Sequence, residues 1–167
     1  MLKVYNIFGD SDQSEEIRLA LGQLPQKPAA PIKIEEESTE TKIMVTWAVV
    51  PDIDGIPITG YQLLIDDGQS GEFITAYDGS GQPQIRQMLL TGLITGLPYR
   101  IILIAQNING NSANSDIVTM YSCLRPSFDQ EPLRLESTQT TITILWEEPD
   151  HNGCPLIGFS ILRNTGS

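Results

Sequence analysis

Positive charge is scarce in this sequence. Ten Lys and Arg stand against 21 Asp and Glu, for a formal net charge of −11. A surface that acidic repels phosphate backbones and anionic lipid, so nucleic acid and membrane surfaces are poor partners. Long apolar runs are missing as well: the most apolar piece, IILIA at 101–105, has five residues, far short of a membrane span. The opening MLKVYNIFGDSDQ lacks the apolar stretch of a secretory signal. No GxSxG, phosphate-binding loop, HExxH or paired CxxC occurs. There is no RGD and no N-x-S/T acceptor. Histidine occurs once and cysteine twice. No cofactor is expected from such an inventory.

Turns are plentiful: 14 Gly and 11 Pro punctuate short apolar runs, the texture of an all-β sandwich rather than of helices. The runs also repeat. LKVYNIFGDSDQSE at 2–15 matches LIAQNINGNSANSD at 103–116 at a shift of 101, with Asn6 on Asn107, Gly9 on Gly110, Ser11 on Ser112 and Ser14 on Ser115. IMVTW (43–47) matches ITILW (142–146) at a shift of 99, and VPDIDGIPITGYQLLIDDG (50–68) matches EPDHNGCPLIGFSILRNTG (148–166) at a shift of 98. Small deletions in loops account for the drift. A repeat of about 100 residues is the size of one β-sandwich domain. Three units are expected: 1–23 as the last strands of one copy, 24–123 as a complete copy and 124–167 as the first strands of a third. Met1 and Ser167 then both fall inside copies, as in a window on a longer array.

In the complete copy, period-two alternation puts Ile43, Val45 and Trp47 on one face of a strand, and Tyr61, Leu63 and Ile65 on one face of the next. PIKIEE, FITAYD, QIRQMLL, the run ending YRIILIAQN and SDIVTMYS supply the remaining strands, seven in all. The acidic IEEEST reads as a solvated strand edge. Within this frame TGLITGLPYRIILIAQNINGNS resembles the E–F corner, F strand and FG loop of a fibronectin type III domain. Leu93, Tyr99, Leu103, Ala105, Asn107, Gly110 and Ser112 stand in the family register, and Trp47, Tyr61, Trp146 and Phe159 match its B and C strands. The resemblance implies an immunoglobulin-like β-sandwich, one complete domain flanked by two partial ones. It makes Tyr99 the corner tyrosine, its ring in the core and its hydroxyl on a nearby backbone group. Thr95 stands where the family usually has Pro.

The candidates for chemistry have plain alternatives. His151, in the loop PDHNGCP, has Ile53 as its counterpart, so no repeated role needs it. Asp52 and Asp54 in PDIDG lack the closing carboxylate of a calcium loop, and Asp66 and Asp67 in IDDGQ read as a turn signal completed by Gly68. Acid–base pairs need two carboxyls across a cleft with separated pKa values, which loops on a filled small sandwich do not offer. The resemblance places partner binding on the B–C and F–G loops, where Asp52, Asp54, Asn107, Asn109 and Asn111 are the polar candidates. Asn107 and Gly110 read first as turn-shaping residues.

Cys123 and Cys154 have Gly22 and Ile56 as counterparts, so the entry into the complete copy lacks both cysteines. In the sandwich implied by the resemblance, the start of the third copy and its B–C loop share one pole. Two readings stay open: a bridge closing a loop of about 30 residues, contributing roughly 3–4 kcal/mol in the chain-entropy model, or two free thiols packed as small apolar fillers. A bridge implies an oxidising compartment.

The function expected is non-enzymatic: a structural and adhesive interaction module, one stretch of an array that spaces or presents binding surfaces, at the cell surface or outside the cell. Its partners are other proteins, neighbouring domains among them. An intracellular cytoskeletal or ciliary scaffold is the alternative, favoured by free cysteines, and a spacer in a secreted or membrane enzyme or receptor is another. The unfinished ends also suggest head-to-tail self-association, the F–G piece of one molecule meeting the C-strand edge of another.

Overall fold

The computed structural model describes residues 1–164. Twelve strands follow one another among them. A two-residue hairpin opens the chain, β1 (Tyr5–Asn6) with β2 (Gly9–Asp10). The central region supplies β3 (Ile32–Thr39), β4 (Lys42–Thr46), β5 (Ile58–Ile65), β6 (Ile74–Asp78), β7 (Gln87–Leu90), β8 (Pro98–Asn107), β9 (Gly110–Asn111) and β10 (Val118–Tyr121). A last hairpin joins β11 (Leu133–Ser137) to β12 (Ile142–Leu145).

The alternation read from the sequence becomes a two-sheet core. Ile43, Val45 and Trp47 are buried while Lys42 is exposed and Met44 and Thr46 are half-buried; Tyr61, Leu63 and Ile65 are buried in the same way along β5. One sheet runs β3-β4-β7. The other runs β10-β8-β5-β6, with β9 on the end of β8, and all pairings are antiparallel. Between them lie Ile43, Val45, Leu63, Ile101 and Leu103, each with no exposed surface, and burying such a side chain is worth about 2 kcal/mol. Trp47 leans on Tyr61 and on Tyr77, ring centroids 6.0 Å apart in both cases, and the Tyr61 hydroxyl accepts the Val50 N–H at 3.0 Å. IEEEST behaves as a strand edge: Glu35, Glu36 and Glu37 are exposed.

The corner between β7 and β8 closes as the tyrosine requires. The Tyr99 hydroxyl accepts the Ile94 N–H at 2.8 Å, and the ring is 5% exposed. Thr95 in place of proline does not disturb it.

The flanking pieces copy the central geometry locally. In β8–β9, Leu103 and Ala105 N–H donate to the Ser115 and Ser112 hydroxyls, Ser115 and Ser112 N–H donate back to the Leu103 and Ala105 carbonyls, and Asn107 Oδ1 caps Asn109 N–H. The same set recurs at the start of the chain with Leu2, Val4, Ser14, Ser11, Asn6 and Phe8. Near the other end, Trp146 meets Phe159 at 5.8 Å as Trp47 meets Tyr61. The third-copy strand expected around Phe159 is not formed: residues 155–164 lie in no ladder. Its counterpart β5 is held by β6 and β8, and no such strands follow here among the described residues; the expected run extends to 165–167, which lie outside them.

Candidate functional site

The polar loop residues gather at one pole of the central sandwich, around the segment that leads into it. That segment, 20–24, is strapped across the B–C loop (48–57) and the F–G loop (108–109). Gln23 N–H donates to Asp54 Oδ2 at 3.2 Å. Asn107 Nδ2 donates to the Gln23 carbonyl at 3.0 Å, and Asn109 Nδ2 to the Gly22 carbonyl at 3.1 Å. Asn109 Oδ1 in turn accepts the Ala20 N–H at 2.8 Å. The remaining valences shape turns: Asn107 Oδ1 accepts Asn109 and Gly110 N–H, Asp52 Oδ1 accepts Ile58 N–H at 3.0 Å, and Asn111 Oδ1 accepts Gln106 Nε2 at 3.2 Å. Four of the five side chains nominated as loop candidates thus hold the molecule's own backbone, three of them directly on the strap, and Asn111 meets the Gln106 side chain. Gly22 completes the fit. Its φ is +145°, and a Cβ there would lie 2.5 Å from Ile56 Cδ1, so Ile56 fills the place of a side chain at position 22.

The second junction follows the same route with different chemistry. Cys123 and Cys154 are joined in a disulfide, Cα atoms 5.6 Å apart. Leu124 N–H donates to the Asn152 carbonyl, Asn152 Nδ2 to the Arg125 carbonyl, and Ser127 N–H to the Asp150 carbonyl. The loop itself repeats the first: Asp54 and Asn152 have φ of 52° and 46°, each followed by a glycine of positive φ. His151 Nδ1 accepts the Gly153 N–H at 3.1 Å, a turn contact. Gly153 sits against the central sandwich; a Cβ on Gly96 would lie 2.9 Å from the Gly153 carbonyl oxygen.

At the opposite pole lies a pair that sequence reasoning passed over. Asp66, read as a turn residue beside Asp67, is 3% exposed and accepts Arg100 Nε at 2.7 Å, Arg100 N–H at 2.8 Å and Gly68 N–H at 3.1 Å. Arg100 also donates to the Gly71 carbonyl and lies over the Phe73 ring, 5.0 Å from its centroid. Burial pushes the Asp66 carboxyl up, but the Arg100 and Gly68 hydrogen bonds together outweigh it and hold it below the ordinary value. Backbone N–H groups of Gln69 and Gly71 lower Asp67 too. Both are ionised at neutral pH, so neither is poised as a proton donor. Only the β5–β8 register joins residues 34 apart; the signal in the sequence was an arginine alternating into an otherwise apolar strand.

An open groove of about 530 Å³ runs between the β3 and β10 edges, lined by Ile32, Lys33 and Glu35 on one side and by Val118–Tyr121 and Cys123–Arg125 on the other. Lys33 crosses it, donating to the Tyr121 and Cys123 carbonyls at 3.1 and 2.8 Å.

Comparison with known proteins agrees with this geometry. Over 70% of its length the chain is similar to a crystal structure of titin domains, at 18% identity and TM-score 0.50, and spans 38% of that chain. Over 65% of its length it is similar to a human fourth FNIII domain solved in solution, at 22% identity and TM-score 0.53, covering 88% of that domain. At these identities the likeness is one of fold. The family model for the fibronectin type III domain matches residues 26–121, more than half of the chain. By its fold, its corner tyrosine and that match, this protein belongs to the fibronectin type III domain family.

Proposed function

We propose that the chain is a non-catalytic spacer and interaction module, in which units at 1–23, 24–123 and 124–167 follow one another in a tandem arrangement outside the cell or at its surface. Domains of this family are generally structural and interaction modules. What carries the reading is the fastening of each lead-in segment to the next B–C loop, by Gln23–Asp54 and its neighbours at one junction and by Cys123–Cys154 at the other. Segments tied down in this way limit bending between units, as a spacer requires. The disulfide favours an oxidising compartment, and surfaces left free by the tied loops would meet protein partners.

The test is peptide mapping of the native protein without reduction, free thiols being blocked at lysis. A crosslinked Cys123–Cys154 peptide is expected. Two blocked, unlinked cysteines would overturn the extracellular reading in favour of an intracellular scaffold.

A further inference from the structure

We infer that the junction after the central sandwich is a thiol-controlled hinge, while the junction before it is indifferent to redox state. The two straps run alike but are anchored differently. The first is held by Ala20, Gly22 and Gln23 bonding to Asp54 on one loop and to Asn107 and Asn109 on another, with Ile56, 4% exposed, filling the space beside Gly22. Nothing in that set changes with oxidation. The second strap bonds to one loop only, through Leu124, Arg125 and Ser127, and its covalent tie is the disulfide.

The two sulfurs belong to different units. Cys123 follows Ser122, which is fully buried: its N–H donates to the Leu97 carbonyl, its hydroxyl to the Ile94 carbonyl, and its carbonyl accepts the Gly96 N–H. The Cys123 carbonyl is itself held by Lys33. Cys123 is therefore part of the central sandwich. Cys154 lies in the turn closed by its own N–H on the His151 carbonyl, in the unit that follows. The bond draws that turn onto the corner of the central sandwich, where a Cβ on Gly153 would lie 2.6 Å from Thr95 Cγ2 and 3.5 Å from Glu40 Cγ. Without the bond, Leu124, Arg125 and Ser127 stay bonded to the following loop and the Cys123–Leu124 link becomes the pivot between two acidic bodies.

Both cysteines are only half-buried, and the groove past Lys33 opens on Cys123. A dithiol reductant has a route in. Its thiolate attacks Cys123 Sγ, at the groove, forming a mixed disulfide there and expelling Cys154 as a thiolate. The second thiol of the reductant then displaces Cys123. Two electrons pass, leaving two protein thiols and one oxidised dithiol.

The experiment is amide 15N relaxation on the purified full chain, oxidised and then in dithiothreitol. Oxidised, the β11–β12 amides are expected to share the correlation time of β5 and β8; reduced, they lose it and tumble faster, while contacts of the first strap with Asn109 keep their chemical shifts. The Cys123→Ser/Cys154→Ser variant should match the reduced form in either buffer. A correlation time unchanged on reduction overturns the inference. So does collapse of the β11–β12 shifts, which would make the bond a support of that hairpin and not of the joint. Either result is independent of the compartment in which the native protein resides.

Discussion

At the scale of single residues, the acidic surface conceals one carboxylate of a different kind. Most of the 21 acidic side chains face water, but Asp66 is enclosed with Arg100 as its charged partner. Breaking such a pair strands the other charge, so Asp66→Asn is expected to lose about 3 kcal/mol in urea unfolding at neutral pH. Because the folded carboxyl sits below the ordinary 3.8, its contribution is present above that value and is lost as pH falls through the folded pKa. Unfolding midpoints taken downward through the acid range should therefore fall less steeply for Asp66→Asn. Asp67 and Asp78 are depressed too, so its curve flattens without becoming level. The corner Tyr99 was legible because its register with Leu93, Ala105 and Asn107 is local. Arg100 was not, since nothing within its own strand shows which carboxylate lies across the sheet.

At the scale of elements, strands proved readable as sequences but not as pairs. Period-two alternation located β4 and β5 and the buried half of each. The repeat and the family match put Phe159 on a strand that has no ladder to join among the described residues, because sheet structure is a property of neighbours as much as of propensity. Gly60 and Gly158, aligned in the repeat, expose that difference. A Cβ on Gly60 would overlap the Gly79 carbonyl, and that backbone is pinned by Gly79 N–H on the Tyr61 carbonyl and Gly81 N–H on the Thr59 carbonyl. A Cβ on Gly158 meets nothing within 4 Å. Equilibrium unfolding should show Gly60→Ala weakened by about 2 kcal/mol and Gly158→Ala unchanged to within about 0.5 kcal/mol. Equal effects would mean that residues 155–164 are paired in solution.

At the scale of the molecule, the chain exposes 12042 Å² for a mass of 18.4 kDa, where a globular monomer of that mass exposes about 8,200 Å². The excess lies in the flanks, where Leu2, Val4, Ile161 and Phe159 are more than half exposed although their counterparts Leu103, Ala105, Leu63 and Tyr61 are core. Cooperative unfolding should then report the central sandwich alone. Calorimetry is expected to give a heat-capacity change near 1.2–1.5 kcal/mol/K, that of about 100 residues, against the roughly 2.0–2.5 of a fully folded chain this long. A loop that presents Ile56 suits only a glycine at position 22, and Cys154 finds its partner only in a segment that carries Cys123. Single exchanges fail, since a cysteine at position 22 would collide with Ile56 and sit at an unsuitable φ. A sandwich that keeps its B–C loop is therefore expected to keep its own lead-in segment, so a cut made at the first strand of the fold should lose a matched partner.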